Sequence, residues 1–161
     1  INELVFIPTK DDTNILYQNN EITSGIRNEE IAKTASRLSA LSETRELLID
    51  IQRNFMEGKN IIADGRDMGT VVFPEADLKI FLDASAKIRA ERRYLELQKR
   101  GQEVNMRDLI ADIELRDLKD RTRTLSPLIP ADDSITIDSS EMSLEEVLSF
   151  TKRLAKKELN K

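Results

Sequence analysis

Ile61-Ile62-Ala63-Asp64-Gly65-Arg66-Asp67-Met68-Gly69-Thr70 carries the strongest structural signal in this chain. It opens as a short apolar run, which is how a parallel strand buried on both faces reads. Asp64-Gly65 then breaks the run. In open α/β sheets ligands sit in the crevice beyond the carboxyl ends of the strands, so Arg66 and Asp67 fall where a ligand would be held. Gly65 and Gly69 let the backbone turn or come close to that ligand. The plainer alternative is a strand end carrying a surface ion pair, and this window alone leaves both open.

The surrounding 161 residues suffice for one domain with a real core and are short for two. A charged fraction of 34% beside 39% hydrophobic residues fits a soluble globular chain. No apolar run approaches the length of a membrane span, and no signal-peptide pattern is present. The lack of cysteine excludes disulfides and thiolate metal sites and suits a cytoplasmic setting. The lack of histidine excludes histidine triads, histidine general bases and most transition-metal sites. Chemistry is left to carboxylates, Lys, Arg, hydroxyls and backbone. That inventory suits phosphoryl transfer, which needs mainly positioning and positive charge. The net charge is −5 with both signs interleaved, so no nucleic-acid surface is expected and any anion site must be a local arginine cluster.

Upstream, Leu4-Val5-Phe6-Ile7 and Ile15-Leu16-Tyr17 read as strands of a small antiparallel ribbon, with turn signals from Pro8 to Thr13 and at Asn19-Asn20. Such a ribbon is not stable alone and must lean on other structure. Ser24-Gly25 reads as a break, and Asn28 as the N-cap of a helix whose apolar stripe is Ile31, Ala35, Leu38 and Leu41. Ser42 is expected to cap a second helix with an apolar face of Leu47, Leu48, Ile51 and Phe55, ending at Gly58. Ser36 and Arg45 lie off both stripes, where a solvated position is the ordinary reading.

Downstream, Leu78-Lys79-Ile80-Phe81-Leu82 reads as a second buried strand, stopped by Asp83. Ser85 is placed to cap a helix from about Ala86 to Arg100, followed by Gly101. It carries Arg89, which reads as a salt-bridged surface group, and the adjacent Arg92 and Arg93. Neighbouring like charges either find acidic partners or share an anion. Asn105 to about Thr122 forms another helix, buried along Met106, Leu109, Ile110 and Ile113. If it continues, Arg116, Asp120 and Arg123 share one face at i, i+4 and i+7. That face is either a surface ion pair or two guanidiniums and a carboxylate suited to a phosphorylated sugar. Pro127 and Pro130 close this arm, and Ile135-Thr136-Ile137 is a third candidate strand. Ser143 and Glu146 make a capping box for a last helix with Leu144, Val147, Leu148, Thr151, Leu154 and Ala155 on its apolar face. Strands separated by helices imply an α/β fold with a parallel sheet.

The run Asp64 to Pro74 closely resembles the bacterial cytidylate kinase family. So do Ser24-Gly25-Ile26-Arg27, Ala35-Ser36, Arg45-Glu46, Lys79 to Ser85, Arg116-Asp117 to Arg123 and Ser126-Pro127-Leu128, in the family's order and spacing. The resemblance implies transfer of the γ-phosphoryl group of ATP, with Mg²⁺, to CMP or dCMP. It implies an adenylate-kinase-like parallel sheet of strand order 2-3-1-4-5 with helices on both faces. Strands 3, 4 and 5 would lie at about 61–63, 78–82 and 134–138, with strands 1 and 2 lacking. Residues 1–57 would form the CMP-binding arm with its antiparallel insert, and 58–161 the core with a lid at about 92–127. Family positions matching Ser36, Arg45, Asp67 and Arg123 hold the cytosine end of CMP, and those matching Arg116 and Asp120 hold the sugar hydroxyls. Arg66 and Arg123 look placed to neutralise phosphate, and Arg92 and Arg93 resemble lid-side arginines that close over the ATP phosphates.

The family's glycine-rich phosphate loop, G-x-x-x-x-G-K-[ST], is not found in these residues. The only Gly-Lys is Gly58-Lys59, which Asn60 follows. The amides, lysine and hydroxyl that would cradle ATP and hold Mg²⁺ are therefore expected in a missing N-terminal segment of the same protein. On that expectation these 161 residues are inactive alone. The alternative is a non-catalytic CMP-binding module.

Overall fold

The computed structural model describes residues 4–9, 13–26, 28–54, 56, 58 and 60–160. Its contacts divide the chain into two units, Ile1–Asp50 and Ile51–Lys161.

In the first unit the two apolar runs form the expected hairpin. β1 (Leu4–Pro8) pairs antiparallel with β2 (Thr13–Tyr17), from Leu4 opposite Tyr17 to Pro8 opposite Thr13. Residues 10–12 of the expected turn lie outside the described residues. The next reversal falls at Gln18-Asn19, one residue earlier than expected, with φ of 50° and 63°. Paired positive φ angles match the strand twist in a two-residue hairpin turn. β3 (Asn20–Glu21) follows and pairs with β2. The break expected at Ser24-Gly25 is instead one helical turn, α1 (Thr23–Ile26). Thr23 secures it: its buried hydroxyl accepts the Ile15 N–H at 2.8 Å. Arg27, part of the family resemblance, lies outside the described residues.

α2 (Glu29–Leu38) starts where its cap requires, with the Asn28 side chain accepting the Ile31 N–H at 2.9 Å. α3 (Ser42–Asn54) takes Ser42 as its first residue rather than its cap and ends before Gly58. Phe55, expected on its face, lies outside the described residues. The stripe on these helices is less buried than expected: Ile31, Leu38 and Leu41 are exposed, and Leu47 is 74% exposed. Helical spacing marks where a second layer would dock; it does not supply one.

The second unit holds the core: Val72, Phe73, Ala84, Ala90, Leu97 and Ile137. β4 (Ile80–Asp83) and β5 (Ile135–Asp138) pair in parallel, Ile80 opposite Ile135 through Asp83 opposite Asp138. Two helices join them. α4 (Ala86–Lys99) is capped by Ser85 and packs through the fully buried Ala90. α5 (Met106–Thr122) is capped by Asn105 and packs along α4. The inward stripe of α5 begins as expected with Met106, Leu109, Ile110 and Ile113, then continues as Asp117 and Asp120. One face thus changes from apolar to acidic at its carboxyl-terminal half. The last helix, α6 (Leu144–Leu159), has the full capping box between Ser143 and Glu146. Leu144 and Leu148 of its expected apolar face are exposed. Among the described residues no helix is long and apolar enough to cross a membrane.

The expected strand at 61–63 is not one. Ile61 to Asp64 pair with no strand among the described residues, and Ile62 is 102% exposed. An apolar run becomes a strand only when neighbours supply ladder hydrogen bonds and cover. Among the described residues β4 and β5 pair only with each other.

Lys79 ties the entry of β4 to the approach to β5. Its Nζ donates to both Asp133 carboxylate oxygens, at 2.7 and 2.8 Å, and to the Pro74 carbonyl. The ammonium holds the Asp133 carboxyl below its ordinary value. A depressed folded-state value contributes stability above the unfolded value, which is lost as pH falls through the folded one. The melting-temperature gap between the native chain and Asp133→Asn is therefore full near neutral pH and closes below about pH 4. A gap that stays constant from pH 7 to 3 refutes this.

Candidate functional site

The polar half of α5 is the centre of the site. Asp120, only 6% exposed, accepts from Arg66 Nε. Arg116 Nε lies 4.0 Å from Asp120 Oδ2, and Arg123 Nη1 lies 3.7 Å from Oδ1. The helix does not continue as the shared face requires: it ends at Thr122, and Arg123 is its extended cap with ψ of 142°, yet one carboxylate still gathers three guanidiniums. Two of them come from its own helix and its end, by i,i+4 and i,i+3 spacing. The third arrives from the loop after Ile61-Ile62. Arg123 also donates from Nε to the Ser126 carbonyl at 2.6 Å, across a turn where Ser126 has φ +47°. Three guanidiniums and one carboxylate leave the cluster with a net charge of about +2, which suits an anionic group.

Asp67 follows Arg66 and opens a π-helical turn, Met68–Val72. Arg53, near the end of α3, reaches that turn's last carbonyls, an arrangement with no periodic signal in the sequence. In the other unit, Ser36 and Arg45 meet at the α2–α3 elbow through Ser39. Arg45 Nη1 donates to the Ser39 carbonyl at 2.8 Å, and the Ser39 hydroxyl donates to the Ser36 carbonyl at 2.9 Å.

Arg92 and Arg93 do not join the Asp120 cluster. Arg92 donates to the Ser139 hydroxyl and carbonyl, at 3.2 and 2.7 Å, and to the Met142 carbonyl at 3.3 Å. Ser139, 1% exposed, in turn donates to the Asp83 carbonyl, so Arg92 fastens α4 to the carboxyl ends of β4 and β5. Arg93 pairs with Glu96, whose carboxyl it holds below its ordinary value. Arg89, as expected, is ion-paired. It grips Asp117 with both Nη atoms, and that carboxylate raises the guanidinium's pKa against the opposing effect of burial. Arg121 reaches Asp83 at 3.4 Å. These pairs lock α5 to α4 and to the end of β4, which sets the angle at which Asp120 is presented.

An open hollow along α6, lined by residues including Ser143, Glu146, Phe150 and Arg153, shares no residue with this cluster. Among the described residues no group of three or more acidic side chains could hold a metal ion. A magnesium ion commonly keeps water and binds through one or two carboxylates and substrate phosphates.

Parallel strands joined by helices, with three arginines gathered around one buried carboxylate, define an α/β protein with a guanidinium cluster at the end of α5. Residues 3–157 match the family model described as Cytidylate kinase. The chain is similar to the cytidylate kinase of Salmonella arizonae, 44% identical over 154 residues that cover 96% of this chain and 68% of that protein. The cytidylate kinases of Enterobacter sp. (strain 638) and Erwinia tasmaniensis are 43% and 44% identical with the same coverage. The chain belongs to the cytidylate kinase family, and so to the nucleoside monophosphate kinases.

Proposed function

We propose that this chain binds CMP or dCMP as acceptor of the ATP γ-phosphoryl group, giving CDP or dCDP. The observation that carries the reading is the gathering of Arg66, Arg116 and Arg123 on Asp120. A nucleotide's phosphate would meet Arg66 and Arg123. Its sugar hydroxyls would meet Arg116 and Asp120, and its cytosine Ser36, Arg45, Asp67 and Arg123. Cytosine's amine is a donor, which a carboxylate accepts and which uracil's carbonyl lacks. Arg92 and Arg93 would serve the ATP phosphates only by releasing Ser139, Met142 and Glu96. Mg²⁺ would arrive bound to ATP. Residues 1–57 would act as the CMP-binding arm and about 92–127 as the lid. β4 and β5 would be the fourth and fifth strands of the 2-3-1-4-5 sheet.

These 161 residues hold no G-x-x-x-x-G-K-[ST] sequence. On this reading they supply the acceptor side, and the ATP phosphate cradle comes from elsewhere in the kinase. Calorimetric titration of the 161-residue chain is expected to show CMP binding, and ATP with Mg²⁺ is expected to yield no CDP. CDP formation by these residues alone refutes the division of labour; failure to bind CMP refutes the proposal. The same missing motif favours the alternative, a non-catalytic CMP-binding module. Recovery of CDP formation on adding a phosphate-loop segment in trans excludes that module.

A further inference from the structure

The turn that follows Arg66-Asp67 is an uncommon one. The Asp67 carbonyl accepts the Val71 N–H at 2.9 Å and the Val72 N–H at 3.2 Å, and the Met68 carbonyl accepts the Phe73 N–H at 2.7 Å. The first spans four residues as in an α-helix; the other two span five and are π-type bonds, a geometry seen mostly as single turns at functional sites. The last carbonyls of any helical turn lack donors from within it. Here they are those of Val71 and Val72, and one side chain serves both. Arg53 Nε donates to the Val72 carbonyl at 2.9 Å, and Nη2 donates to the Val71 carbonyl at 3.0 Å. The planar fork of a guanidinium spans two adjacent acceptors; an ammonium offers no such fork. The turn is gripped from a second side too. Val72 is 3% exposed, and a Cβ on Gly69 would come within 3.2 Å of the pinned Lys79 stem.

We propose that Arg53 is a positioning residue for base selection. By closing the end of the π-helical turn it sets the backbone of Asp67, and so the place from which that carboxylate meets the cytosine amine. The inference rests on the reading of Asp67 given above. Arg53 need not touch the nucleotide. Without it, Val71 and Val72 turn to water for their partners and the turn relaxes toward ordinary helical bonding. Such relaxation swings the residue at its start.

The test is calorimetric titration of CMP and of UMP into the 161-residue chain and into Arg53→Met and Arg53→Lys. A misplaced carboxylate loses one charge-assisted hydrogen bond, so Arg53→Met is expected to weaken CMP about tenfold while leaving UMP within about twofold. The preference for CMP over UMP then falls by about the same factor, and Arg53→Lys recovers part of it. A purely structural role moves both nucleotides together. If the CMP-to-UMP ratio of both variants equals that of the native chain, the inference is overturned and the CMP reading stands. If the native chain does not prefer CMP, the reading of Asp67 fails and the inference fails with it. Should Arg53→Met not fold, Arg53→Lys keeps the charge and the stem, and its CMP-to-UMP ratio against the native chain's decides the matter alone.

Discussion

Asp120→Ala lowers the stability of the chain by about 2 kcal/mol, the largest loss expected from any single polar substitution here. The carboxylate is 9% exposed at its side chain and is the shared partner of three guanidiniums. Removing one member of a fully buried pair costs about 3–5 kcal/mol, because the charge left behind has neither water nor a partner. Here Arg66 and Arg116 remain 40% and 53% exposed, so water takes up part of the loss, while Arg123 at 15% is the one left worst off. Three like charges then face one another. Urea denaturation reads the change as a lower midpoint at unchanged slope. Added inorganic phosphate is expected to restore part of it, since an oxyanion can replace the lost carboxylate. A loss below about 0.5 kcal/mol, within the range of ordinary surface substitutions, would show that Asp120 is not the hub.

Arg66→Met weakens CMP binding about 100-fold, or about 2.7 kcal/mol, and leaves cytidine within about threefold. Arg66 is fastened to Asp120 through Nε alone, at one edge of its planar group. Its side chain is 40% exposed, so its terminal nitrogens can meet a ligand from solvent. A guanidinium held by one edge and open at the other is preorganised for phosphate, with its side-chain entropy already lost to the ion pair. Comparing CMP with cytidine isolates the phosphate, because the two differ in that group alone. Equal loss for both ligands would reduce Arg66 to a structural partner of Asp120.

Much of the second unit is legible along the chain. Ser85 and Ser143 cap helices as expected, Asn105 caps the helix it is expected to begin, and the runs around Phe81 and Thr136 form neighbouring parallel strands. Caps and helical faces depend on hydrogen bonds and spacings of three or four residues, so local chemistry suffices. The i,i+4 pairing of Arg116 with Asp120 is legible for the same reason, whereas Arg123 reaches Asp120 from the extended cap beyond the helix rather than from its face. The strand expected at Ile61-Ile62 fails because hydrophobicity states a preference for cover without providing it. Arg92 keeps two meanings in the sequence, since a guanidinium's partner depends on which carbonyls come near.

Residues close in sequence thus decided which helices form, where they begin and which side chains share a face. Folding in three dimensions decided which distant groups complete each pair. Arg66 meets Asp120 across 54 positions, Arg92 meets Ser139 across 47, and Arg53 meets Val72 across 19. The physical reason is range. A backbone amide finds its helical partner one turn away whatever the rest of the chain does. A long charged side chain reaches whichever acceptor the returning backbone brings within about 3 Å, and no local rule specifies that acceptor.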